Sequence, residues 1–167
     1  SSAAMALNGS TAYHLFTESR TPFSIELREF RDYANSQRQA DYIVITHPAF
    51  ASQAQRLADY RAGSDGYTTL VADVNDIYDE FNHGHKNPAA IKAFLRNAWE
   101  RWSEPRPRYV LLMGDASWDA KFRKANSTRT DFIPTFGNPA SDNYYVRYAD
   151  TPLDPTPFLP IGRIPAE

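Results

Sequence analysis

Cysteine is absent from all 167 residues. That excludes disulfides, thiolate metal sites and a cysteine nucleophile within this chain, and it leaves the redox compartment open. No apolar run approaches the roughly 18 residues of a membrane span, so no segment reads as a transmembrane helix. A dominant charge is also lacking. Eighteen Lys and Arg face 20 Asp and Glu, a net charge of −2, where a general nucleic-acid binder would be basic. Neither a glycine-rich phosphate loop nor the Gly-x-Ser-x-Gly nucleophile elbow occurs, so Ser117 in "GDASW" carries no such role. The opening "SSAAMALNGS" has neither the basic nor the apolar region of a signal peptide and reads as a tag scar or cut linker.

What is present is a folding sequence. Apolar residues make up 42% and aromatics 14%, enough for one domain with a core. The first forty residues are weakly patterned, with "AYHLF" and "FSIEL" as short-strand candidates and "RDYANSQRQ" as a polar connection. "DYIVITHP" is a strand buried on both faces, stopped by Pro48. "AFASQAQRLADYRAG" carries Phe50, Ala54, Leu57 and Ala58 at helical spacing, with Gly63 expected as its C-terminal cap. "YTTLVAD" is a second strand. Asp73 or Asn75 can cap the short helix that follows, whose Val74, Ile77, Tyr78 and Phe81 share a face, and Gly84 is expected to close it. Pro88 opens a longer helix with Ile91, Phe94, Leu95, Ala98 and Trp102 along its apolar stripe. "RYVLLMGD" is a third core strand. Strand, helix, strand, helices, strand predicts a parallel sheet covered by helices.

Beyond Asp115 the texture changes, because nine of the twelve prolines lie from Pro105 onward. Residues 116–131 read as a long polar loop, "SDNYYVRYAD" as an aromatic hairpin arm and "FLPIGRIP" as one more short strand. The last residues, "IGRIPAE", read as a fragment boundary. The division expected is a tail with short strands over 1–39 and an α/β unit over 40–167.

In open parallel sheets ligands bind beyond the carboxyl ends of the strands. Those ends carry Thr46-His47, Asp73 and Gly114-Asp115. Asp115 is the sharpest candidate, since the glycine before it lets backbone approach closely; the alternative is a carboxylate that anchors the loop. Asp119 is a weaker candidate of the same kind. His47, between a buried strand and a proline, reads as a hydrogen-bonding residue before a catalytic one. His83 and His85 have no third metal ligand at a telling spacing. Asp73, Asp76, Asp79 and Glu80 lack the alternating calcium-loop pattern and read as a solvated helix face. The triplets starting at Asn8 and Asn126 match the glycosylation sequon, a pattern common by chance. Seven Lys and Arg against three acids between Arg101 and Thr130, interleaved with Trp102 and Trp118, suit an anion or simply a solvated loop.

Taken together, "ADYIVITHPAF", "VADVNDIYDEFNHG", "NPAAIKAFLRNAWE", "YVLLMGDASWD", "IPTF", "SDNYY" and "IGRIP", in this order over about three quarters of the chain, resemble the gingipain-like family of cysteine peptidases. The resemblance implies a three-layer α/β arrangement, a small, mostly parallel sheet flanked by helices, corresponding to the N-terminal subdomain of a caspase-like fold. It implies that the catalytic His and Cys lie on later strands outside this chain, whose partners are then a C-terminal catalytic half and a protein or peptide substrate. His83-Gly84 is not that histidine, because it precedes the "LLMGD" strand. Asp115 and Asp142 are placed near the shared cleft, with Asp119, His47 and Asp154 as further lining candidates. No organic cofactor is implied; calcium is, in some members, as is a secreted or surface-attached bacterial setting.

One position departs from the family pattern. Where relatives tend to carry an acid before "IGR", Phe158 stands here, and the nearest carboxylate is Asp154. The expected function is thus the N-terminal subdomain of a gingipain-like cysteine endopeptidase. The alternative is a non-catalytic binding module of the same scaffold in a secretion or adhesion protein. A third reading is a free-standing α/β domain binding a small anion at Gly114-Asp115.

Overall fold

Tyr42–Thr46 forms β1, buried at every position, and the rest of the molecule is arranged around it. The computed structural model describes residues 21, 27–121, 123–137, 140–148 and 156–166. Within them β1 is followed by a single 3-10 turn (Pro48–Phe50), α1 (Ala51–Asp65), β2 (Thr69–Asp73), α2 (Val74–Asn82), α3 (Pro88–Arg101), β3 (Tyr109–Met113), a 3-10 helix (Asp142–Val146) and β4 (Ile161–Ile164). The four strands form one sheet in the order β2-β1-β3-β4, and every pairing is parallel. Thr46 lies opposite both Asp73 and Met113, and Met113 opposite Ile164. The carboxyl ends of all four strands therefore reach a common rim.

Alternation along the strands sends side chains to two faces. Ile43, Ile45, Ala72, Val110 and Leu112 join the main core with Ile77 of α2 and Ile91, Phe94, Leu95 and Ala98 of α3. Tyr42, Val44 and Met113 point the other way, onto Ala54 and Leu57 of α1. This is the three-layer arrangement expected from the sequence. Full burial of each large side chain, such as Phe94 or Leu95, stabilises the fold by roughly 1.5–3 kcal/mol.

The helix starts follow their local chemistry. The Asp73 carboxylate accepts the Asn75 N–H at 2.8 Å, and Asn87 caps α3 just ahead of Pro88. The stops differ from expectation. Gly63 lies inside α1, which runs to Asp65 and ends on Gly66 at φ 72°. At the end of α2, His83 itself takes the left-handed conformation, followed by Gly84. A glycine is tolerated within a helix, so the residue that closes it is the one whose φ turns positive.

The hairpin arm expected at "SDNYYVRYAD" is instead the 3-10 helix Asp142–Val146. Consecutive Tyr145 and Val146 are both fully buried in the main core, which a half-exposed strand with alternating faces does not allow. The candidate strands at 12–16 and 23–27 fall outside the described residues, apart from Leu27. The acidic face of α2 is not simply solvated. Asp76 pairs with Arg28 and Arg31, Asp79 with Arg28, and Glu80 accepts the Tyr33 N–H at 2.7 Å. Tyr33 is buried against Phe94, and its carbonyl accepts the indole N–H of Trp102 at 2.9 Å. The segment before β1 is thereby fastened across α2 and α3.

Candidate functional site

The rim is built around Gly114, the residue that ends β3. Its φ of 142° is open to glycine, and a Cβ there would lie 3.0 Å from Cβ of Phe132. That space lets the returning loop lie directly on the strand end, where the Asp115 carbonyl accepts the N–H groups of Phe132 and Ile133 at 3.0 and 3.2 Å. The Asp115 N–H reaches the Ala166 carbonyl at 3.0 Å. Its carboxylate accepts the Ala116 N–H at 2.8 Å and has a longer contact, 3.5 Å, to Arg129.

Arg163 of β4 is the centre of the arrangement. Its Nε and Nη2 grip the two Asp142 carboxylate oxygens at 2.8 and 2.7 Å. Nη1 donates to the carbonyls of Gly114 and Ile133 at 2.7 and 2.9 Å, and Nη2 also reaches Pro134 at 3.2 Å. All five N–H groups of the guanidinium are thus engaged. Burial on its own would lower the Arg163 pKa, but the Asp142 carboxylate outweighs it and holds the group above its ordinary value. Asp142 accepts a further hydrogen bond from Thr135.

The carboxylates of the loop serve its backbone. Asp119, buried, accepts the N–H groups of Arg123 and Lys124 at 2.9 Å each, and these bonds hold its carboxyl below the usual range. Asp131, also buried, accepts the Ser117 N–H at 2.9 Å and pairs with Lys86 at 3.0 Å. The Ser117 hydroxyl accepts the Asp119 N–H at 3.2 Å.

A groove of about 880 Å³ lies along this rim, lined among others by Asp115, Trp118, Arg129, Asp131, Asp142 and Arg163. Of the residues singled out from sequence, Asp115 and Asp142 line it together. Asp119 fixes the loop that forms its wall without lining it. His47 stands at the end of β1, where Nδ1 accepts the Ala49 N–H at 3.2 Å and the ring packs edge-on against Phe132. Burial lowers its pKa, the Asp73 charge opposes this and Lys86 adds to it. Asp154 lies outside the described residues. Arg163, Asp131 and Lys86 were not among the candidates. The signal for Arg163 was a lone charge inside the apolar run "PIGRIP"; for Lys86 and Asp131, 45 residues apart, no local signal exists.

No group of three or more His, Asp or Glu side chains placed to hold a metal occurs among the described residues. With no cysteine in the sequence, a thiolate mechanism has no nucleophile in this chain.

The sequence profile of peptidase family C25 matches residues 35–167. The chain belongs to peptidase family C25. Those 133 residues contain the whole sheet and the rim, so the gingipain-like resemblance covers the part of the molecule that forms the groove. Among solved structures, the dimeric latent PorU of Porphyromonas gingivalis superposes with a TM-score of 0.60 at 24% identity, over 76% of this chain and 14% of that chain. That likeness shows the fold, caspase- and gingipain-like, and this C25 chain spans only a small part of PorU's length. No curated protein sequence matches it. No helix among the described residues is long and apolar enough to cross a membrane.

Proposed function

We propose that this chain is the N-terminal subdomain of a C25 cysteine endopeptidase, forming one wall of the substrate cleft, with the catalytic His and Cys supplied by later residues of the same polypeptide. The observation that carries the reading is the rim itself. Family C25 is a peptidase family, and here the strand ends of a parallel sheet are locked into a rigid groove by Arg163 and Asp142 without a nucleophile of their own. A wall so built serves chemistry supplied from alongside. The thiolate would attack the peptide carbonyl and the histidine would protonate the leaving amine. Residues 40–167 form the subdomain and 1–39 a preceding tail with short strands, in which Tyr33 packs on Phe94 of the subdomain. An extracellular or cell-surface bacterial setting goes with this assignment.

Phe158 favours the competing reading, a non-catalytic binding module of a secretion or adhesion protein. It stands where an acid was expected and packs on Tyr148 and Trp99, with ring centroids at 4.9 and 6.0 Å. The experiment takes the protein that includes the sequence following Glu167 and measures hydrolysis of a mixed peptide library with and without iodoacetamide. Cleavage abolished by alkylation supports the peptidase; a folded protein that cleaves nothing, or cleaves regardless of alkylation, rejects it.

A further inference from the structure

The loop from Asp115 to Asp131 sorts its charges. Asp119 and Asp131 turn inward, where Asp119 accepts the backbone N–H groups of Arg123 and Lys124 and Asp131 that of Ser117; Asp115, half-buried, accepts the Ala116 N–H and faces Arg129 at 3.5 Å. Its four cations, Lys121, Arg123, Lys124 and Arg129, are all exposed. Between them stands Trp118, 78% exposed, with the Lys124 ammonium 4.1 Å from its ring centroid. The other two tryptophans have packing roles, Trp102 in the core and Trp99 against Phe158, whereas Trp118 is largely exposed.

Nor is Trp118 carried on loose chain. The N–H before it, of Ser117, is held by Asp131, and the N–H after it, of Asp119, by the Ser117 hydroxyl. Trp118 also lines both the 880 Å³ groove and an adjoining hollow of about 270 Å³, standing between them. A rigidly presented aromatic among cations is the composition of an interface anchor, with its ordering cost met in advance.

We infer that Trp118, Lys121 and Lys124 form a docking subsite for an acidic peptide segment, its carboxylates meeting the cations and its apolar atoms lying on the indole. That the segment belongs to a substrate rests on the peptidase reading; that it binds does not. Charge complementarity selects the occupant, because Asp119 and Asp131 are turned inward and leave Lys121, Arg123 and Lys124 as exposed charges of this loop, on a chain whose net charge is −2.

The test is fluorescence anisotropy of a rhodamine-labelled peptide alternating Glu and Pro, titrated with the iodoacetamide-treated protein. The expected result is saturable binding that weakens with added salt, with no binding of the matching Lys-Pro peptide. Trp118→Ala is expected to weaken binding about tenfold or more, and the paired change Lys121→Glu with Lys124→Glu at least as much. Thermal melts would establish that both variants fold. Equal binding of the Lys-Pro peptide, unchanged binding in the folded variants, displacement only by an oligouronate or no binding at all would each overturn the inference. Because alkylated protein is used, failure here is separate from failure of the hydrolysis assay.

Discussion

Replacing Arg163 with methionine keeps an unbranched apolar stem in place of the aliphatic part of the side chain and deletes five engaged N–H donors at once. Removing one partner of a buried ion pair typically costs about 3–5 kcal/mol, since the other charge stays behind uncompensated. Asp142 is 24% exposed and Arg163 13%, so water reaches the abandoned carboxylate in part and the lower end, about 3 kcal/mol, is the expected loss. Arg163→Lys keeps the charge but replaces the planar fork with a point donor, and should recover half or more of that. Urea unfolding followed by far-ultraviolet dichroism reads both. With a slope of about 2 kcal/mol per molar, the methionine variant should unfold about 1.5 M earlier. The Asp142→Asn, Arg163→Met double variant should lose less than the sum of the single changes. A midpoint shift below about 0.3 M for Arg163→Met, or identical shifts for Met and Lys, would refute the claim that this guanidinium holds the rim together.

Three other outcomes follow from the same geometry. Gly114→Ala places a Cβ at positive φ and 3.0 Å from Phe132, which should cost about 2–3 kcal/mol in the same unfolding assay. Because burial lowers the His47 pKa, its contribution is complete above its unfolded value of about 6.5 and is lost as pH falls through the lower folded value. His47→Asn keeps a cap acceptor and does not titrate, so its stability profile between pH 7 and 5 should lack that decline; parallel profiles would contradict it. Asp119→Ala frees the N–H groups of Arg123 and Lys124, and limited trypsin digestion should then cut within 121–124 several times faster than in the unaltered chain.

The sheet was readable because strands buried on both faces must be continuous apolar runs, as "YIVIT" and "YVLLM" are. Helix starts were readable because Asp73 and Pro88 act on their immediate neighbours. Stops were harder. Gly63 and Gly66 are alike in sequence, and only the path of the chain decides which takes a positive φ. The Asp142–Val146 segment was misread because its burial is dictated by α3 and the rest of the core, not by its own pattern. The site divides the same way. That chemistry-bearing residues gather near Gly114-Asp115 follows from the strand ends, but the carboxylates' tasks depend on partners 4 to 14 residues away for Asp119 and Asp131. For Arg163, the partners lie 21 to 49 residues away.

Those distances also set an order of events during synthesis. The sheet's first three strands and the helices α1, α2 and α3 are complete by Met113, and their pairings and packing are available as soon as that residue emerges. The returning loop and Asp142 are made next, yet the guanidinium that fastens both to the end of β3 is made last, on β4. Until it arrives, the loop is held only by bonds such as those of the Asp115 carbonyl to Phe132 and Ile133 and of Asp131 to Ser117, and every bond Arg163 makes closes a stretch of chain already synthesised. A ribosome halted between residues 148 and 161 would carry a chain whose core strands can pair and whose groove still lacks the guanidinium that ties Asp142 to the end of β3.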